Sequence, residues 1–342
     1  MEPDLWALYR WMFRSRLFEE TVHVLWDEGL ISGEMHLGTG EEAIDAGVVA
    51  QLQEGDAMAL DHRGTPPLLM RGVDPRRLLA EFLGRPDGLC SGMGGHMHLF
   101  SQEHLAASSG IVGASGPAAA GFALAAQYLR PGTLAVAFFG EGAANQGMLL
   151  EAMNLTVAWQ LPVVFVCKDN RWSITTPSAS VTGGELTERA RAFGMPAAEV
   201  EGSDVEAVWW AAQEAIERAR RGGGPTFLCA RCIHLDGHFL GDPMLRAARH
   251  PLKEMAPLLG PLLRSTTRRE GGPWRARVKS LGTLLARPSQ VRQAESASGR
   301  DPVAQARRKL LADRVRLLAL EDEVDREIQQ VVGDVLAVSA GG

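Results

Sequence analysis

The sequence predicts an α/β fold: helices on both faces of a mostly parallel sheet. Three observations carry this. Apolar runs at 133–139 and 161–167 flank a helix-like stretch at 145–160. A strand, a helix and a strand in that order make a parallel βαβ unit. The order recurs further on, where a strand-like 197–200 is followed by a helix capped by Ser203-Asp204 and running to about residue 221, then a strand at 225–233 after three glycines.

The N-terminal segment is helical. Leu5, Leu8, Tyr9, Met12, Phe13, Leu17, Phe18, Val22, Leu25 and Trp26 recur at helical spacing and Gly29 supplies a stop. A loop with His36-Leu37-Gly38-Thr39-Gly40 leads to a second helix at 41–52, whose acidic start suits the positive end of the helix dipole. A third is expected at 74–83. From residue 114 small residues dominate (Ala118, Ala119, Ala120, Gly121, Ala123, Ala125, Ala126), which lets a helix pack closely on a neighbour. Two helices at 301–313 and 319–338 form a C-terminal tail, the second with Leu320, Val324, Ile328, Val331, Val332 and Val335 as its apolar face. The expected division is an α/β domain over 1–243, a basic irregular insert over 244–300 and the helical tail over 301–342. The insert carries Arg264, Arg268, Arg269, Arg275, Arg277, Lys279, Arg287 and Arg292 against few acids.

With 342 residues, 46% of them hydrophobic, the chain can bury a sizeable core. A formal charge of −6 and the lack of any recognition motif argue against a nucleic-acid partner. No apolar run reaches spanning length and the acidic start lacks the features of a signal peptide, so a soluble cytoplasmic protein with no membrane partner is expected. Cys90, Cys167, Cys229 and Cys232 are too few for a disulfide framework, and Cys229 and Cys232 read as two partly buried thiols at the end of a strand.

Ligands of α/β sheets gather where strands end, which directs attention to Gly140-Glu141-Gly142 and Asp169-Asn170. A carboxylate and an amide on adjacent strand ends can supply oxygens to a magnesium ion that also bridges a diphosphate. Gly140 and Gly142 let the backbone approach phosphates. A lone Gly-x-Gly is more often an empty turn, so the neighbouring motifs matter.

Residues 140–147 (Gly-Glu-Gly-Ala-Ala-Asn-Gln-Gly), followed by Glu151-Ala152-Met153-Asn154, Leu161-Pro162 and Asp169-Asn170-Arg171-Trp172, resemble the thiamine-diphosphate motif of the α subunits of 2-oxo acid dehydrogenases. His62-Arg63-Gly64, the segment from Gly92 to His98, Gly110-Ile111-Val112-Gly113 and the segment from Gly237 to Pro243 fall in the order that family shows. The likeness spans about residues 5–243 and the tail. It implies the thiamine-diphosphate-binding fold, with thiamine diphosphate and Mg2+ as cofactors. Glu141 and Asn170 would be side-chain metal ligands and the Trp172 carbonyl a third. His62 and Arg63 would hold the diphosphate, helped by the backbone near Gly110 and Val112 and by Gly140, Gly142, Ala143 and His234. His238 would stand beside the thiazolium as the catalytic imidazole, with a pKa near neutrality. His96 and His98 would order a nearby loop.

The resemblance further implies a pyruvate-type or acetoin dehydrogenase α subunit, active only with a β subunit in an α2β2 assembly and passing an acyl group to a lipoyl acyltransferase component. The small 2-oxo acid or acetoin substrate stays open. Four positions depart from the family pattern: Glu141 stands for an Asp, Asp169 for an Asn, Thr65 for a His and His234 for an Arg. Asp169 and His234 make the field around a diphosphate less positive. A non-catalytic scaffold with a degenerate metal site and a split transketolase-like enzyme are the competing readings. Phe239 stands where animal relatives carry a phosphorylated Ser, which excludes that control here.

Overall fold

Side-chain alternation along the two central strands sorts the core into two layers. The computed structural model describes residues 2–242 and 298–339 throughout and only scattered positions between 243 and 297. In β4 (Ala135–Gly140) and β5 (Val163–Asp169), Val136, Phe138, Val164 and Val166 join one buried cluster, while Ala135, Ala137, Phe139, Val163, Phe165 and Cys167 join the other. Successive residues of a strand point to opposite faces, so both faces must be covered by helices. The expected fold class is observed.

One face packs against α1 (Leu5–Asp27), α2 (Glu42–Val49) and α8 (Val205–Arg220); the other packs against α5 (Ser115–Leu129), α6 (Gly147–Ala158) and α7 (Leu186–Ala192). Asp4 caps α1 by accepting from the amides of Trp6 and Ala7, and Asp204 caps α8 by accepting from those of Glu206 and Ala207. The small residues of α5 do what their size suggests. Ala119, Ala120 and Ala123 are buried against the strands and α6. Fully burying an aromatic such as Phe138 or Phe165 contributes about 1.5–3 kcal/mol each.

The seven-stranded sheet also contains β1 (Ala57–Leu60), β2 (Phe100–Ser101), β3 (Ala106–Ser108), β8 (Ala197–Glu201) and β9 (Thr226–Arg231), in the order β2-β3-β1-β4-β5-β9-β8. Only β2 runs antiparallel to its neighbour. From β1 the chain moves outward to β3 and then returns to β4 on the other side of β1. That reversal opens a crevice beyond the carboxyl ends of β1 and β4, where α/β sheets bind ligands.

β1 and α3 (Thr65–Arg71) escape the sequence reading. β1 is four residues buried on both faces, so it shows no alternation. Pro66 and Pro67 sit in the first turn of α3, where a proline lacks nothing the helix needs. The helix α4 (Pro75–Phe82) lies where expected. A short hairpin, β6 (Trp172–Ser173) with β7 (Thr176–Pro177), follows β5. Cys229 and Cys232 are fully rather than partly buried, and Cys229 lies in register with Cys167.

The C-terminal helices α9 (Pro302–Leu310) and α10 (Arg314–Ser339) close the α1 face. Arg16 binds them to the body, with Nε 2.6 Å from Glu42 and both terminal nitrogens 3.2 Å from Asp301. The basic insert expected over 244–300 lies mostly outside the described residues. Among the described residues no helix is long and apolar enough to cross a membrane.

Candidate active site

Loops from the carboxyl ends of five strands enclose a cavity of about 440 Å³ at the switch point. Asp61, His62 and Arg63 follow β1; Ser109, Ile111, Val112 and Gly113 follow β3; Gly140, Glu141, Gly142 and Ala143 end β4; Asn170 and Trp172 follow β5; His234 and His238 follow β9. Every residue that the sequence assigned to cofactor, metal or catalysis lines this space except Gly110. Gly110 is flanked by the lining residues Ser109 and Ile111, and a Cβ there would stand 3.1 Å from Met97 Sδ and 3.3 Å from His98 Nε2. The volume falls in the range of about 300–1,000 Å³ usual for small-molecule sites.

Glu141 is 3% exposed, and its Oε1 accepts from Ser173 Oγ at 3.0 Å and Ser178 Oγ at 3.1 Å. Burial, then the nearby Asp169 carboxylate, pushes its pKa up to about 7. A Cβ at Gly142 would meet Ser173 Oγ at 2.3 Å, so a side chain there would turn that hydroxyl away from Glu141. Asn170 Oδ1 accepts from the Trp172 amide at 3.0 Å, and its Nδ2 lies 2.7 Å from His234 Nδ1. His234 Nε2 lies 2.7 Å from Glu41 Oε1. Glu41 can only accept, so His234 carries its proton on Nε2 and receives the Asn170 amide on Nδ1. The chain Glu41, His234, Asn170 thereby fixes the amide, whose oxygen keeps a second lone pair beyond the one that takes the Trp172 amide. A carboxylate, an amide oxygen and a backbone carbonyl at adjacent strand ends suit a hard cation such as magnesium.

Behind this sits a buried charge cluster. Lys168 Nζ lies 2.7 Å from Glu41 Oε2 and 3.2 Å from Asp61, with Lys168 1% exposed. Although burial opposes it, Lys168 is held protonated by Asp61 and Glu41, and Lys168 and His234 hold the Glu41 carboxyl well below its usual range against the same opposition. Arg63 approaches Glu41 to 3.9 Å, while its fork donates to the Leu37 and His238 carbonyls. Arg63 therefore offers the cavity its charge more than its hydrogen bonds. Lys168, Glu41 and Asp61 were missed from sequence. The available signal was a lysine at the end of an otherwise apolar, doubly buried strand, a residue type that is almost never fully buried unless paired.

Four imidazoles cluster here, His62 and His238 on the cavity wall and His36 and His96 behind them. The rings of His36 and His62 are 4.7 Å apart, those of His36 and His238 5.2 Å, and His36 stacks on His96 at 5.3 Å. Burial, then the Arg63 charge, lowers the pKa of His36 to about 3, of His96 to about 4 and of His238 to about 2, and drives His62 lower still. The near-neutral pKa expected for His238 is thus not found. A desolvated ring beside a fixed guanidinium stays uncharged. His96 orders its surroundings as anticipated, because its Nε2 receives the His36 backbone amide at 3.2 Å. Glu81 anchors the adjoining loop by accepting from the amides of Cys90, Gly92 and Gly94.

The family described as Dehydrogenase E1 component matches residues 10–256. The α subunit of acetoin:2,6-dichlorophenolindophenol oxidoreductase of Bacillus subtilis (strain 168) is 42% identical over 243 residues, 70% of this chain and 73% of the relative. The protein of the same name from Cupriavidus necator is 40% identical over 256 residues, covering 74% and 77%. The pyruvate dehydrogenase E1 component subunit alpha of Zymomonas mobilis is 39% identical over 255 residues, covering 74% and 72%.

Proposed function

The chain belongs to the Dehydrogenase E1 component family, and from that premise we propose that it is the α subunit of a thiamine-diphosphate- and Mg2+-dependent acetoin or pyruvate-type dehydrogenase. The observation that carries this reading is the convergence of Glu141, Asn170, Trp172, His62, Arg63 and His238 on one cavity at the sheet's switch point. The fit of a polar ligand has independent support. His62 Nε2 and His238 Nδ1 are buried with no hydrogen-bond partner, which a bound cofactor or substrate would supply.

When bound, thiamine diphosphate supplies the carbon nucleophile and electron sink that cleave the bond next to a carbonyl. Glu141, Asn170 and the Trp172 carbonyl would hold its magnesium. Lys168 and Arg63, both nearly inaccessible, would offset the diphosphate charge, a task the His234 and Asp169 departures make harder. Uncharged His238 would orient the substrate carbonyl by hydrogen bonding; it cannot act as a standing acid.

Ile111 and Val112 are 61% and 54% exposed at the cavity rim, an apolar edge suited to cover by a β subunit in an α2β2 assembly. In this reading the acyl group formed there passes to a lipoyl acyltransferase component. The four cysteines are all free thiols, in keeping with a reducing cytoplasm.

The test is calorimetric titration of thiamine diphosphate with Mg2+ into the chain co-expressed with its β subunit, followed by acetoin and pyruvate turnover. Saturable, metal-dependent binding that Glu141→Ala abolishes is expected. A well-folded complex that binds no cofactor would remove the catalytic reading and leave the scaffold.

A further inference from the structure

We propose that His36, His62 and His238 form a site for a borderline divalent transition metal, zinc above all, separate from the oxygen site at Glu141. One ring nitrogen from each residue lies within 4.8 Å of the other two. Four-coordinate zinc with bonds of about 2.0–2.1 Å places its ligands roughly 3.4 Å apart, so the three rings need close by only about an ångström.

The protonation pattern favours a metal. The His36 backbone amide donates to His96 Nε2, so that nitrogen carries no proton, and the 3.1 Å contact between it and His36 Nδ1 requires the proton to be on His36. His36 Nε2 is left with a bare lone pair. His62 Nε2 and His238 Nδ1 are buried and unpartnered. All three rings are uncharged, as ligation demands, so no proton need be expelled from an imidazolium. Arg63, whose charge lowers the pKa of all three rings, also opposes a cation here, an opposition that Glu41, 3.9 Å from Arg63, offsets only in part.

Three neutral imidazoles leave a fourth position for water, and they select zinc, cobalt or copper over magnesium, which prefers oxygen. The three residues come from separate loops, so no ligand spacing in the sequence reveals them. Occupied, the site would sequester two imidazoles that face the cofactor cavity, making zinc an inhibitor that chelation reverses; that consequence, unlike the binding, rests on the proposed function.

The test uses the full-length chain, stripped with chelator and titrated with Zn2+ against a chromophoric competitor, and separately with Co2+. One Zn2+ per chain is expected, together with the intense visible bands of four-coordinate cobalt on nitrogen ligands. His36→Ala, His62→Ala and His238→Ala should each weaken binding by about a hundredfold or more, beyond the tenfold to hundredfold effects of outer ligands. His104→Ala and Glu141→Ala should leave it unchanged. No stoichiometric zinc, six-coordinate cobalt spectra, or loss of zinc on Glu141→Ala would each overturn the site. The cobalt spectrum of the unaltered chain decides even if the alanine variants fail to fold. Binding of thiamine diphosphate with Mg2+ is read separately, so either reading can fail alone.

Discussion

His234 Nδ1 stands 2.7 Å from the side-chain nitrogen of Asn170, and this contact decides which end of the amide is left to accept. A metal needs the oxygen. Replacing His234 by Leu removes the acceptor and lets the amide turn. Mg2+-dependent binding of thiamine diphosphate should then weaken by about 10–100-fold, the usual cost of losing a group that orients a metal ligand. Calorimetry with and without Mg2+ checks this. Equal loss in both would place the effect on the diphosphate instead.

Glu41 and Lys168 form the buried pair that supports His234 from behind, at 2.7 Å with both side chains at most 2% exposed. Removing Glu41 leaves Lys168 with Asp61 as its remaining close partner, so Glu41→Gln should cost up to about 3–5 kcal/mol. Combining Glu41→Gln with Lys168→Met removes both charges and should recover part of that, since Asp61 then loses its lysine partner. Urea denaturation of the single and double variants closes the cycle; strict additivity would show that the two are not coupled.

The contrast between β4 and Lys168 explains what can be read from sequence here. The apolar run of β4 flanked by glycines announces a strand and a ligand-bearing turn at once. Long helices with periodic faces, such as α1 and α10, are equally plain. Glu41 and Asp61 are recognisable only in space, since each looks like an ordinary surface charge until the sheet order brings it beside Lys168, whose one linear signal is its place at the end of an apolar strand. The same holds for His36, which sits in a loop with no pattern around it. His238 was found by its motif, but its protonation depends on Arg63 from another loop, which a linear reading does not weigh.

Glu141 contributes a loss of stability with rising pH in a definite window. An ordinary glutamate loses its proton near 4.5, whereas Glu141 keeps it to about 7. Between these values the folded state binds more protons than the unfolded one, so stability is lost as pH rises, by at most about 3 kcal/mol. Glu141→Gln has no charge to bury. Its advantage over the parent chain in metal-free buffer should therefore grow from pH 4.5 to 7 and then level off; parallel profiles would refute the raised pKa. Metal binding should show the converse, tightening about tenfold per pH unit below 7 because the cation displaces that proton.

Gly40 joins the first helical layer to the loop that carries His234 and His238. It has φ +99°, and a Cβ would lie 2.0 Å from the Ile233 carbonyl oxygen. That oxygen belongs to backbone and cannot swing aside. The Leu235 amide donates to the Thr39 carbonyl at 3.3 Å and Thr39 Oγ1 donates to Asp236 Oδ2 at 2.7 Å, so the two loops are held together beside the contact. Gly40→Ala must either adopt a conformation costing about 1–3 kcal/mol or push residues 233–235 outward, carrying His234 away from Glu41. Both routes should lower the thermal midpoint, but only the second disturbs the site. Thiamine diphosphate affinity measured well below the midpoint separates them, and displacement of the 233–235 loop, with weakened binding, is the expected result because the clash is with backbone.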